Sequence, residues 1–210
     1  MTGRRALSLL AGALAFAILA APAAERSPRD LIAAACDRLL GTLVVSGDAV
    51  RADPRLAWQL ASETVLPFVD FERVGRRVLG KHWRTASPAQ RSAYQQAFRA
   101  YASHFLVTAM VTYSEAMASY ADRVSFPPIR WRPGDDQATV RMLVRLAGGL
   151  SAEVTYRMHL VAGEWRVWDV TLEGLSLVLM YRDSFAQEIT RYGLDGFIER
   201  LVAYAGPRRG

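Results

Sequence analysis

Apolar positions recur along this chain in two rhythms, and the change between them divides it. Residues 28–118 repeat at helical spacing, residues 123–173 alternate with period two, and residues 175–205 return to helix. A first helix over about 28–46 places Leu31, Ala34, Ala35, Leu39 and Leu43 on one face and ends by Gly47. Asp53-Pro54 opens a second, a cap followed by proline at the first helical position, with Leu56, Leu60, Val65 and Phe68 as its stripe. Pro67 ends or kinks that helix, and Asp70 caps a short one closing at Leu79-Gly80. Ser87-Pro88-Ala89-Gln90 is a capping-box start for a long helix. Along it run Tyr94, Phe98, Tyr101, Phe105, Ala109 and Tyr113, an aromatic stripe expected to pack on a sheet.

In the strand region Ala138, Val140, Met142, Val144 and Leu146 alternate with Thr139, Arg141, Leu143 and Arg145. Gly148-Gly149 permits a turn, and Ala152, Val154, Tyr156, Met158 and Leu160 then alternate with Glu153, Thr155, Arg157 and His159. This is the pattern of an antiparallel hairpin with one buried face. Gly163-Glu164 turns the chain into a strand over 165–173, and an earlier strand is expected around 123–132, interrupted by Pro127-Pro128. With no repeat or linker between the regions, the expected fold is one α+β domain: a curved antiparallel sheet of about four strands, its apolar face against several helices and its arginine-bearing face toward water.

The N-terminus changes the charge picture. Met1–Arg5 carries two arginines, residues 6–20 are apolar except for Ser8 and Gly12, and Ala21-Pro22-Ala23 offers a cleavage site. That is the pattern of a secretory signal peptide over 1–23, leaving residues 24–210 as the mature domain. Its removal lowers the formal charge of the 210-residue chain from +6 to +4. A small charge and an export signal disfavour nucleic-acid binding. An apolar fraction of 51% excludes disorder, and a single cysteine excludes a disulfide framework. Cys36 follows Ala33-Ala34-Ala35 but is separated from the apolar run by charged residues, so it reads as a buried thiol on a helix rather than a lipidation site.

Catalytic candidates are few. His82, His104 and His159 have no metal-ligand spacing, and phosphate-binding, dinucleotide-binding and G-x-S-x-G motifs are missing from the sequence. No metal or cofactor is expected. Asp135-Asp136 sits in a turn, whereas Asp169, between Trp168 and Val170 in a core strand, needs a partner. Arg182 is the expected one, in a structural pair holding the last helix to the sheet. One basic stripe stands out: Arg73, Arg77, Lys81 and Arg84 recur at three- and four-residue spacing, with only Glu72 acidic between 71 and 84. It is read as a docking surface for acidic partners or anionic headgroups, against the blander reading of a solvated helix face.

Val78-Leu79-Gly80-Lys81-His82-Trp83-Arg84 and Ser87-Pro88-Ala89-Gln90-Arg91 resemble the "LGKYWR…TPEQR" segment of the MlaC (toluene tolerance) family. A more specific match follows in Trp165-Arg166-Val167-Trp168-Asp169-Val170, Glu173-Gly174-Leu175-Ser176-Leu177-Val178, Tyr181-Arg182, Phe185 and Gly193-Leu194-Asp195-Gly196-Phe197-Ile198. These resemble, in order and spacing, "W-x-V-x-D-V…E-G-V-S-L-V-x-N-Y-R…F…G-x-D-G-L-I". The likeness runs from about residue 28 to 203, with Met180 standing where the family often has asparagine.

The resemblance implies an NTF2-like or cystatin-like cone enclosing an apolar cavity. It also implies a monomeric, non-enzymatic periplasmic carrier of phospholipid. Its expected partners are an inner-membrane ABC lipid transporter complex and an outer-membrane lipoprotein complex. Alternation and helical spacing then suggest the cavity lining. The sheet is expected to supply Val140, Met142, Val144, Val154, Tyr156 and Met158, and the helices Tyr101, Phe105, Leu175, Val178 and Leu179. Two alternatives stay open: a carrier of a sterol-like or hopanoid lipid, and a small enzyme on the same fold using Asp169 and a pocket tyrosine.

Overall fold

The computed structural model describes residues 27–205, and the expected signal peptide lies outside them. Helix α1 (Pro28–Ala52) runs past the expected stop at Gly47, because a single non-helical residue, Ser46, lets a second helical stretch follow. Helix α2 (Pro54–Thr64) starts where Asp53 accepts the backbone N–H of Arg55, and a 3-10 turn (Leu66–Phe68) begins just before Pro67. Its buried stripe is Ala57, Leu60, Ala61 and Thr64, while the expected Leu56 faces outward. Small residues let α2 approach α1 and α5 closely.

Helix α3 (Phe71–Leu79) is capped by Asp70, whose carboxylate accepts the N–H of Arg73 at 2.8 Å. Gly80 takes a positive φ of 59° and redirects the chain into the short α4 (Lys81–Thr85). The stripe Arg73–Arg77–Lys81–Arg84 therefore spans two helices rather than one face. Both hydrogen bonds of the expected capping box open α5 (Pro88–Thr112), which is followed by α6 (Ser114–Ser119).

The sheet has five antiparallel strands in sequence order: β1 (Val124–Ser125), β2 (Gln137–Arg145), β3 (Ser151–Val161), β4 (Glu164–Leu172) and β5 (Leu175–Ser176). The strand expected over 123–132 shrinks to β1, since prolines 127 and 128 cannot donate to a ladder. Phe126, Ile129 and Trp131 instead pack as a loop beside the sheet's apolar face. That face carries Ala138, Val140, Met158, Trp165 and Val167 against Ile32 of α1.

Helix α7 (Leu177–Ala205) closes the fold and bends at Gly193, whose φ of 72° interrupts it. It forms the largest buried cluster together with α3 and α5, through Phe71, Leu79, Tyr94, Phe98, Phe185 and Phe197. The aromatic stripe of α5 thus packs chiefly on α7 rather than on a sheet. Phe105 meets Tyr181 at 5.7 Å between ring centroids, Tyr101 meets Phe185 at 5.9 Å, and Tyr94 meets Phe197 at 6.5 Å. Tyr113, the last of the stripe, is exposed.

One irregularity decides the chemistry of the sheet. Between Arg157 and Met158 the β3–β4 register shifts, so Arg157 faces Asp169 while Met158 faces Val167, leaving Trp168 without a cross-strand partner. An extra residue of this kind locally breaks the in–out alternation. Asp169 consequently joins the face that carries Arg157 and Thr155, and Val170 stays on the face of Tyr156.

Candidate binding cleft

An apolar cleft of about 120 Å³ lies where α3, α5 and α7 converge on β4. Beyond Val167, which bridges to Val69, β4 meets β5 only at Thr171 and Leu172. Its outer edge over 168–170 is therefore left to the helices. Val74 and Val78 come from α3, Tyr101, Ala102, Phe105 and Leu106 from α5, Val178 and Tyr181 from α7, and residues 167–170 from β4. Helical spacing explains the convergence: 74 and 78, 101 and 105, and 102 and 106 each recur one turn apart.

Of the expected lining, Tyr101, Phe105 and Val178 border this cleft. Leu175 and Leu179 point outward, 71% and 47% exposed. Val140 and Met158 are fully buried in packed core, with no free surface to offer. Met142, Val144, Val154 and Tyr156 are half-buried on the sheet face that continues from the cleft, since Tyr156 pairs with Val170 and Val154 with Leu172. Cys36 of α1 approaches this region, its Sγ 3.9 Å from the sulfur of Met142. Burial, then the charge of Asp37, pushes its thiol up to about 11.

The buried charge at the cleft is handled locally. Asp169 is 4% exposed. Its carboxylate accepts the Ser176 hydroxyl at 2.8 Å and the backbone N–H of Val178 at 3.3 Å, with the Arg157 guanidinium 3.5 Å away. It thereby caps the start of α7, where the helix dipole favours a negative group. The expected pairing with Arg182 is replaced by this arrangement. Arg182 is exposed, 3.7 Å from Asp183, and its aliphatic stem lies against Gly80. A carboxylate placed on the arginine face by the bulge finds Arg157 first.

Burial also pushes the Tyr181 hydroxyl up to about 12 and raises that of Tyr101, so both stay neutral at ordinary pH. The cleft accordingly presents no base other than the Asp169 carboxylate, which Ser176, Val178 and Arg157 already engage. Among the described residues no group of three or more His, Cys, Asp and Glu side chains could hold a metal.

His159, expected to face solvent, is largely enclosed. Its Nδ1 receives Arg73 at 2.7 Å and its Nε2 meets Asp70 at 2.7 Å. Because arginine can only donate, Nδ1 is the acceptor and Nε2–H donates to Asp70. This bridge ties the start of α3 to β3. The bridge carries no local sequence signal, whereas the irregularity at Trp168 shows as a change of apolar phase, from Trp165 and Val167 to Val170 and Leu172.

A wider groove of about 510 Å³ beside α1 is lined by Leu31, Ala34, Ala35, Pro67, Phe68 and Trp165 together with Arg38, Glu63, Glu164 and Arg166, a mixed lining where that of the cleft is almost wholly apolar. The fold and the cleft together define an α+β binding protein whose apolar enclosure is built at a helix–sheet junction. Residues 34–203 match the family described as MlaC protein, and the chain belongs to that family. It is 25% identical to the toluene tolerance protein Ttg2D of Pseudomonas putida over 193 residues, covering 91% of this chain and 85% of that protein. Against the MlaC binding protein of the intermembrane phospholipid transport system of Haemophilus influenzae it is 23% identical over 191 residues, covering 89% and 86%. A phospholipid-binding protein from Ralstonia solanacearum, solved in complex with a phospholipid, superposes with a TM-score of 0.68 at 26% identity, covering 86% of this chain and 97% of that one.

Proposed function

We propose that this chain is a periplasmic phospholipid carrier, which holds acyl chains in the cleft and exchanges its cargo with membrane complexes. The observation that carries the reading is the lining: aromatic and aliphatic side chains around an enclosure whose one carboxylate is already engaged by α7. The phospholipid bound to the Ralstonia solanacearum protein and the name of the Haemophilus influenzae relative support the choice of cargo over a sterol-like or hopanoid lipid. The enzyme reading loses ground because Asp169 and the cleft tyrosines offer no free base. Among the described residues no helix is long and apolar enough to cross a membrane.

Burying a methylene is worth about 0.8 kcal/mol, so two acyl chains of roughly thirty methylenes represent on the order of 24 kcal/mol against water. The enclosure must therefore cover them almost completely. A cleft of about 120 Å³ is below the roughly 300 Å³ of an ordinary ligand pocket, so loading requires α5 and α7 to part from β4. The half-buried Met142, Val144, Val154 and Tyr156 are the adjoining surface onto which the chains would extend. Partners of this carrier would be an inner-membrane ABC lipid transporter complex and an outer-membrane lipoprotein complex. Lys81 and Arg84, exposed on α4, are the basic residues best placed to steer those encounters.

Ala102 provides the test, because it lines the cleft with the smallest side chain there. Ala102→Trp should cut lipid uptake from vesicles severalfold in a protein that still folds. Undiminished uptake would place the acyl chains elsewhere.

A further inference from the structure

Trp168 lines the apolar cleft and also a second, open groove of about 670 Å³ on the arginine-bearing face of the sheet. Around its indole three guanidinium groups converge. The guanidinium carbon of Arg77 lies 4.1 Å from the ring centroid, that of Arg73 5.3 Å and that of Arg157 5.8 Å. Arg130 and Arg141 line the same groove.

Crowding like charges over one ring is costly unless something answers them. The nearby acids are already committed: Asp70 to the start of α3 and to His159, Asp169 to the start of α7, Glu153 to Arg141 at 3.7 Å. Arg73 spends one nitrogen on His159, and Arg157 one on Asp169. Among the described residues no carboxylate stands within ion-pair distance of Arg73 or Arg77. Partial burial and the charges of Arg73 and Arg157 pull the Arg77 guanidinium below its ordinary value, against the opposing charge of Asp169. The donors left over are planar forks held in place by stacking and by the His159 bridge, which is the geometry that recognises a tetrahedral oxyanion.

We propose that Arg73, Arg77 and Arg157, gathered over Trp168 where the arginine face of the sheet meets the apolar cleft, form a phosphate-binding site. This rests on the carrier reading for its natural ligand: a lipid whose chains occupy the cleft would present its phosphodiester at Trp168. Free phosphate has the same chemistry, and the two sources are separable. The site would select phosphorylated lipid over lipids with the same chains and no phosphate, a discrimination the apolar cleft cannot make.

The full chain is incubated with vesicles containing equal amounts of dioleoyl phosphatidylethanolamine and dioleoylglycerol, re-isolated, and its bound lipid quantified by mass spectrometry. The wild type should be enriched in phospholipid by at least about tenfold over diacylglycerol. Arg77→Gln should reduce that ratio about tenfold with total bound lipid unchanged, Arg77→Lys should retain part of it, and Arg55→Gln on α2 should leave it intact. Binding of inorganic phosphate is followed in parallel by phosphorus NMR. Phosphate binding that Arg77→Gln abolishes, with an unchanged lipid ratio, would keep the site and assign it to free phosphate. An unchanged ratio with no phosphate binding would overturn the proposal. Failure of the wild type to take up either lipid would instead count against the carrier reading, and the phosphate arm would still decide the site.

Discussion

Replacing Asp169 with alanine removes the group that joins β4 to the start of α7, and the structure gives the size of the effect. Two hydrogen bonds to a buried carboxylate are lost, one from Ser176 at 2.8 Å and one from Val178 at 3.3 Å. Hydrogen bonds to charged groups contribute about 1.5–3 kcal/mol each, and the second is long, so it falls at or below the bottom of that range. The favourable charge–dipole interaction adds about 0.5–1 kcal/mol, while release from burial offsets part of the total. The net cost should be about 3 kcal/mol, or roughly 6–12 °C in Tm for a domain of this size. Arg157 is half exposed, and Asp169 keeps its bonds from Ser176 and Val178 when the guanidinium goes, so Arg157→Ala should cost about 1 kcal/mol. Urea unfolding of single and double variants separates the contributions. Asp169 and Ser176 should couple by about 1.5 kcal/mol. Asp169 and Arg182 should couple by less than about 0.3 kcal/mol, within the error expected for independent sites. Strong coupling to Arg182, or an Asp169→Ala variant as stable as wild type, would refute the assignment.

Three further outcomes follow from other parts of the molecule. A thiol raised from 9.0 to about 11 should make Cys36 react with iodoacetamide about 100-fold more slowly at pH 8 in the folded protein than after unfolding. Since the folded state holds that proton more tightly, stability should be undiminished below pH 9 and fall as pH rises toward 11; a fast native-state reaction would remove the basis for this. Gly193→Ala forces a side chain onto a φ of 72° within α7 and should cost about 1–3 kcal/mol in urea unfolding, despite open space around the site. Reversing Lys81 and Arg84 together to glutamate should slow lipid exchange with the membrane complexes most at low salt and leave bound lipid in place, because screening weakens exposed charge pairs; a salt-independent rate would return α4 to an ordinary solvated surface.

The parts of this fold that were legible in sequence are those decided within a few residues. Ser87 and Gln90 close their box, Asp53-Pro54 and Asp70 start helices, and the Gly148-Gly149 turn joins two alternating strands, because each needs only its own neighbours. What each face meets was less legible. Tyr94, Phe98 and Tyr101 declare an aromatic stripe, but nothing local says whether a sheet or another helix will cover it. The bulge at Trp168 shows in sequence only as a change of apolar phase, from Trp165 and Val167 to Val170 and Leu172, and it turns Asp169 toward Arg157. His159 looked solvent-facing by period two, yet α3 packs over that strand and supplies Asp70 and Arg73. The cleft was half legible: Tyr101, Phe105 and Val178 follow from helical spacing, whereas Val140 and Met158 failed as lining because α1 fills the space in front of them. Alternation reports which face is apolar, and packing decides whether that face is core or cavity.

Lipid carried by the purified native chain tests the central claim most directly. The protein is expressed with its N-terminal segment, isolated without detergent, and examined intact by native mass spectrometry, with its organic extract analysed in parallel. Close to one diacyl phospholipid per chain, lost on unfolding and reduced in Ala102→Trp, is the predicted result. A folded chain that carries no phospholipid and acquires none from vesicles would contradict it.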